Sequence, residues 1–266
     1  MTEILDAPEL VRPEQSVPRK GTDICLKDVH FSYKEGEEVL RGIDLTIPAG
    51  SVTAIVGPSG GGKSTISKLI AGFWDVGSGE ITIGGVNLKK LSQAEIADTI
   101  AYVSQDNYLF DDTVRNNIRM GKPGASDEEV EAAAKAAGCD AFIRSLPKGY
   151  ETMTGSGGGH LSGGERQRIT IARAMLHNAP IVIMDEATAY TDPENEAKIQ
   201  QAVSSLTAGK TLIIIAHRLS TITDSDKIVV VQEGKIRDQG THTELLERCS
   251  LYQEMWTAHM GAKDGE

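Results

Sequence analysis

The sequence predicts an α/β fold: a mainly parallel sheet flanked by helices, preceded by an antiparallel β-layer and interrupted by an inserted α-helical subdomain. Three observations carry this. Short apolar runs at 52–56, 101–104, 181–184 and 212–216 have the length of buried strands, and each ends at a glycine or a polar side chain. Helical patterns separate them. The stretch from Thr113 to about Pro147 is helical in pattern and falls between two of these runs, while two alternating runs precede the first.

Residues 1–21 hold three prolines, mixed charge and little periodicity, which reads as a linker. Ile24 to Tyr33 then alternates, Glu35-Gly36-Glu37-Glu38 turns the chain, and Val39 to Ile47 alternates again. This is the antiparallel layer. Tyr33 ends its first strand, where a ring could pack at an edge or stack on a planar ligand.

Next comes Gly57-Pro58-Ser59-Gly60-Gly61-Gly62-Lys63-Ser64-Thr65, between the strand 52–56 and the helical spacing Ile66, Leu69, Ile70, Phe73. Glycines let successive backbone N–H groups turn toward one anion, and the following helix adds the positive end of its dipole. Lys63 brings a mobile charge to terminal phosphates, and the Ser64 hydroxyl suits Mg²⁺. The stretch reads as a nucleoside triphosphate site.

Gly77-Ser78-Gly79 leads into a run at 80–83, and Ser92 to Glu95 has the form of a capping box opening a short helix. The strand 101–104 ends at Gln105. That is either a solvated loop residue or a group at the ligand-bearing edge of the sheet, with its amide oxygen toward a metal or water. Ser126 to Glu129 repeats the capping pattern, and Gly138 marks a helix end. Gly155 to Gly159 reads as a flexible stretch.

Leu161-Ser162-Gly163-Gly164-Glu165-Arg166-Gln167 opens the next helix, with Ile169, Ala172 and Leu176 at helical spacing. Ser162 and Glu165 fit a cap. Two glycines in a first turn cost about 1 kcal/mol each against alanine, so they also suit a phosphate approaching bare backbone. The run 181–184 ends in Asp185 and Glu186, a costly pair to bury without a cation. Asp185 suits Mg²⁺ through water, and Glu186 suits the base that orients an attacking water. Asp192-Pro193-Glu194 has the form of a helix start, and His217 stands at the end of the run 212–216. A hairpin around Glu233-Gly234 and a helix from about Glu244 to Trp256 complete the chain, with a frayed tail at 259–266.

The chain has 266 residues, a net charge of −11 and a pI of about 5.1, so broad attraction to nucleic acid or an acidic membrane is not expected. Cys25, Cys139 and Cys249 are odd in number and widely spaced, which suits a reducing, cytoplasmic setting without disulfides or zinc. No apolar run is long enough to span a bilayer.

Taken together, the motifs from about Gly21 to Trp256 resemble the nucleotide-binding domain of ATP-binding cassette (ABC) transporters, a P-loop NTPase core. In that likeness Tyr33 matches the aromatic loop, Gly57 to Thr65 Walker A, Gln105 the Q-loop, Leu161 to Gln167 the signature, Ile181 to Glu186 Walker B and His217 the switch histidine. The resemblance implies a domain at 22–258 with its helical subdomain at about 107–178. It implies ATP and Mg²⁺, held by Ser59, Gly60, Gly61, Gly62, Lys63, Ser64 and Thr65, with Ser64, Gln105 and Asp185 toward the metal. It further implies catalysis by Glu186, His217 and Gln105. A head-to-tail second domain, identical or different, would cover the nucleotide with Ser162, Gly163, Gly164, Glu165 and Asp192.

Glu3 to Glu9 and Ala216 to Thr221 look like the exporter form, which implies a transmembrane partner, a place on the cytoplasmic membrane face and a domain cut from a longer chain at residues 1–21. A soluble ABC ATPase acting on DNA or in translation, and a separate importer subunit, are the alternative readings. Three positions depart from the family pattern. Glu165 replaces the usual glutamine, Ala189-Tyr190-Thr191-Asp192 alters the D-loop, and Gly155-Ser156 lacks the acid that exporters carry before the signature.

Overall fold

The computed structural model describes residues 10–185, 201–216 and 218–263. Strands β1 (Ile24–Ser32) and β2 (Glu38–Ile47) pair antiparallel from Ile24↔Ile47 to Ser32↔Glu38. The chain then leaves this layer for β3 (Val52–Val56) and helix α1 (Lys63–Ile70), and returns to it with β4 (Ser78–Ile83) and β5 (Val86–Asn87). The four-stranded order is β2-β1-β4-β5. The run at 80–83 thus belongs to the antiparallel layer.

Among the described residues the second sheet has six strands, in the order β10-β9-β3-β8-β7-β6. Its members beyond β3 are β6 (Ile100–Val103), β7 (Ile181–Asp185), β8 (Thr211–Ile215), β9 (Lys227–Gln232) and β10 (Lys235–Gly240). All its pairings are parallel except the β9–β10 hairpin that closes its edge. Alternation along these strands divides the core. In β3, Ile55 faces α1 and the antiparallel layer, while Ala54 and Val56 face the C-terminal helices. In β7, Ile181 and Ile183 face the first side, and Val182 and Met184 pack against the helical subdomain. Helix α1 is therefore buried between the two sheets.

The helical part comprises α2 (Gln93–Thr99) before β6, then α3 (Val114–Arg119), α4 (Asp127–Ala136), α5 (Asp140–Ser145) and α6 (Gly163–His177). Residues 201–207 are helical, and α7 (His242–Arg248) and α8 (Ser250–Lys263) end the described chain. Among the described residues no helix is long and apolar enough to cross a membrane.

Several expectations need correction. The capping box at Ser92 is only half formed: Ser92 Oγ accepts from Glu95 N at 3.2 Å, but the Glu95 carboxylate accepts from Arg19 Nε at 3.0 Å. The stretch at Gly155 is a folded turn, with Gly158 N donating to Gly155 O and His160 N to Thr154 O. The helix expected at 244–256 is two helices, and the second runs on to Lys263. Residues 10–21 carry no regular structure, yet they lie docked: Val17 N donates to Lys90 O and Lys20 N to Gly84 O.

Candidate functional site

Strand β3 ends at Val56 and α1 begins at Lys63, so Gly57 to Gly62 must reverse direction around a point at the sheet edge. Gly57 has φ +147°, and a Cβ there would lie 1.9 Å from the Val231 carbonyl oxygen of β9. No side chain fits there, which is the physical need for glycine. The loop encloses a cleft of about 410 Å³ lined by Ser59 to Thr65 with Val39 and Gln105. Lys63 is folded back over the loop, its Nζ donating to the carbonyls of Gly57 and Pro58 at 2.9 Å each.

Beneath the loop, the first turn of α1 meets the end of β7. Ser64 Oγ donates to Asp185 Oδ1 at 3.1 Å, and the Tyr102 hydroxyl donates to Oδ2 at 2.9 Å. Tyr102 pairs in register with Ile183, which puts it on the same face of the sheet as Asp185. Burial pushes the Tyr102 hydroxyl well above its ordinary pKa and the neighbouring Asp185 carboxylate adds to this, so it remains a donor. The buried carboxylate thus accepts from two donors, one on each oxygen. Ser64, Asp185 and the nearby Gln105 amide offer hard oxygens of the kind Mg²⁺ takes, and they fit that ion.

At the other end of the cleft, the Tyr33 hydroxyl shares a hydrogen bond with Thr65 Oγ1 at 3.2 Å. Its ring is met edge-on by Phe31 at 4.8 Å and Trp74 at 5.5 Å, and 43% of the residue stays exposed. Neither Tyr102 nor Trp74 was singled out from sequence. Tyr102 carries no signal there beyond its place in a strand, and the exposure of Trp74 after α1 is set only by the fold.

Gln105 lies two residues past β6, in a turn closed by Asn107 N donating to Ser104 O. It lines both the phosphate-loop cleft and a neighbouring hollow shared with Asn107, Gly163, Arg166 and Gln167. The start of α6 is a full capping box, with Ser162 Oγ accepting from Glu165 N at 3.3 Å and Glu165 Oε2 accepting from Ser162 N at 2.8 Å. Ser162, Gly163 and Gly164 do not line the phosphate-loop cleft of their own chain. Glu186, Asp192 and His217, like the Tyr190-Thr191 pair, lie outside the described residues.

The glycine loop, its sheet order and the carboxylate at the end of β7 define a P-loop NTPase fold with an added antiparallel layer. The family model described as "ABC transporter" matches residues 40–189, more than half of the chain. The chain belongs to the ABC transporter family, and as an ABC domain it binds ATP. It is 47% identical over 254 residues to the ATP-dependent lipid A-core flippase of Desulfotalea psychrophila, covering 96% of this chain and 44% of that protein. It is 46% identical to mouse ATP-binding cassette sub-family B member 6, covering 88% of this chain and 28% of that protein. Among solved structures it matches a bacterial Atm1-family ABC exporter with ATP bound, at a TM-score of 0.91 and 41% identity, covering 97% of this chain and 45% of that one. The chain therefore spans less than half the length of these relatives.

Proposed function

We propose that this domain hydrolyses ATP and powers an ABC exporter from the cytoplasmic face of a membrane. The observation that carries the reading is the Ser64–Asp185–Tyr102 arrangement set directly under the phosphate loop. In this reading Lys63 leaves the Gly57 and Pro58 carbonyls for the terminal phosphates, and the N–H groups of Gly60 to Gly62 take the phosphate oxygens. Ser64, Gln105 and Asp185 would hold Mg²⁺, Asp185 through water, and the ion supplies neutralisation of phosphate charge when bound. Glu186 orients and deprotonates the attacking water, His217 contacts the γ-phosphate, and Tyr33 stacks on the base.

The exporter assignment is supported by the Desulfotalea flippase and by the Atm1-family exporter. A hollow of about 380 Å³ between β6 and α6 presents the exposed rings of Tyr108 and Phe110 beside the polar side chains of Arg173 and His177. This mixed lining suits an amphipathic segment of the membrane part. Glu186→Gln tests the hydrolytic reading: turnover should fall by about 10² to 10⁴ with ATP still bound. Near-normal turnover in that variant would remove Glu186 from the mechanism.

A further inference from the structure

We infer that residues 10–20 form a strap that sets the grip on the nucleotide base, with Arg12 as its positioning residue. The inference rests on the reading of Tyr33 as the stacking ring. Arg12 makes a two-pronged pair with Asp75, Nη2 to Oδ1 at 2.7 Å and Nη1 to Oδ2 at 3.2 Å. Its side chain is only 4% exposed, and among the described residues Nε is buried without a hydrogen-bond partner, so Asp75 fixes where the guanidinium sits.

Asp75 is bonded directly to Trp74, whose ring stands perpendicular to Tyr33 at 5.5 Å and also meets Phe31 at 6.2 Å. The segment carrying these residues leaves α1 at Phe73, whose N donates to Lys68 O, and rejoins β1 at Gly77, whose N donates to His30 O. Arg12 holds that segment midway between its two backbone anchors. A shift at Arg12 therefore reaches the Tyr33 ring through one peptide bond and one ring contact.

The remainder of the strap grips a different place. Ser16 Oγ accepts from Ser92 N at 2.7 Å, and Arg19 donates to Glu95 at 3.0 Å and to Thr99 at 2.9 Å. The strap is thus moored on α2 and applied at Asp75. Tension on the chain ahead of residue 10 would act on the Arg12 end, which bears on the Tyr33 ring and reaches the phosphate loop only through the Tyr33–Thr65 hydroxyl contact. Under the exporter reading, that chain leads to the membrane helices.

The test is calorimetric titration of the 266-residue chain with Mg-ATP and, separately, with Mg-tripolyphosphate, which has phosphates and no base. Tyr33→Ala should weaken ATP and spare tripolyphosphate. Arg12→Ala and Asp75→Ala should each weaken ATP about threefold to tenfold, with tripolyphosphate within about twofold of wild type, the size expected from losing one aromatic contact. Arg12→Lys should recover part of the loss, and Arg12→Ala added to Tyr33→Ala should bring no further loss, because the two act on one contact. If Tyr33→Ala weakens ATP while Arg12→Ala and Asp75→Ala do not, the strap has no such role and the Tyr33 reading stands. An equal loss for both ligands would make Arg12 merely structural and overturn the inference. A Tyr33→Ala chain with unaltered ATP affinity would sink the base-stacking reading and the strap with it.

Discussion

His30 shows how much one side chain can impose. Its Nδ1 lies 2.7 Å from Glu38 of β2 and its Nε2 3.1 Å from Asp28 of β1, where Asp28 has a φ of +46° and draws its own N–H to Asp44. A neutral imidazole has one N–H, so donating to both carboxylates requires the imidazolium. The bond to Glu38, with help from Asp28, raises the His30 pKa; Arg41, its register partner on β2, is the cation across the strand pair. A raised folded-state value means that the protonated pair stabilises the fold fully below the ordinary value of about 6.5, and that this contribution is lost as pH rises through the folded value. Thermal midpoints of wild type and His30→Gln should therefore differ most below the ordinary histidine value and converge as the medium is made alkaline, with a smaller gap in high salt because the ring is partly exposed. A gap that does not change with pH would mean that His30 acts by packing alone. At this scale Ser64, Asp185 and Gln105 were legible because each sits at a fixed offset in a motif. Tyr102 and Trp74 were not, since their contacts exist only after β6 is laid beside β7 and the end of α1 beside β1.

At the scale of elements, local rules read correctly until a distant group competed. Ser126 and Ser162 each form the reciprocal cap their spacing announces. Ser92 does not, because Arg19, 76 positions away from Glu95, takes the carboxylate that would have turned back. The C-terminal helix failed for another reason. Leu245, Cys249 and Tyr252 continue an i, i+4, i+7 spacing and bury in one core, so periodicity runs through the break at Cys249, where φ −102° and ψ 102° leave the helical region. The signature cap also explains why Glu165 can stand where glutamine is usual: either residue can return a side-chain oxygen to the Ser162 N–H. Glu165→Gln should leave the urea midpoint almost unchanged, whereas Ser162→Ala should lower stability by about 0.5–2 kcal/mol. If Ser162→Ala unfolds at the wild-type midpoint, the cap contributes nothing and the serine is held for the nucleotide alone.

At the scale of the whole molecule, the strand sequence exposed the parallel sheet, the antiparallel layer ahead of it and the phosphate loop, while the return of β4 and β5 to that layer, which encloses α1, emerges only from which strands pair. One consequence concerns assembly. The cleft of the phosphate loop and the capped start of α6 share Gln105 as a neighbour, yet Ser162 to Gly164 stay out of the cleft. If those residues also hold nucleotide, a second domain must bring them. Two copies would approach with −11 on each, a repulsion that salt screens over about 8–10 Å at ordinary ionic strength. Light scattering of Glu186→Gln should therefore give a monomer without nucleotide and a dimer with Mg-ATP. The dimer fraction should rise as salt is increased from about 20 to 150 mM, since screening over that range weakens the like-charge term more than the buried nucleotide contacts. A dimer that salt weakens would mean that complementary surface charges hold the pair instead. A monomer throughout, with ATP binding shown separately, would mean that the covering surface comes from a different cassette or that pairing depends on the membrane part of the transporter.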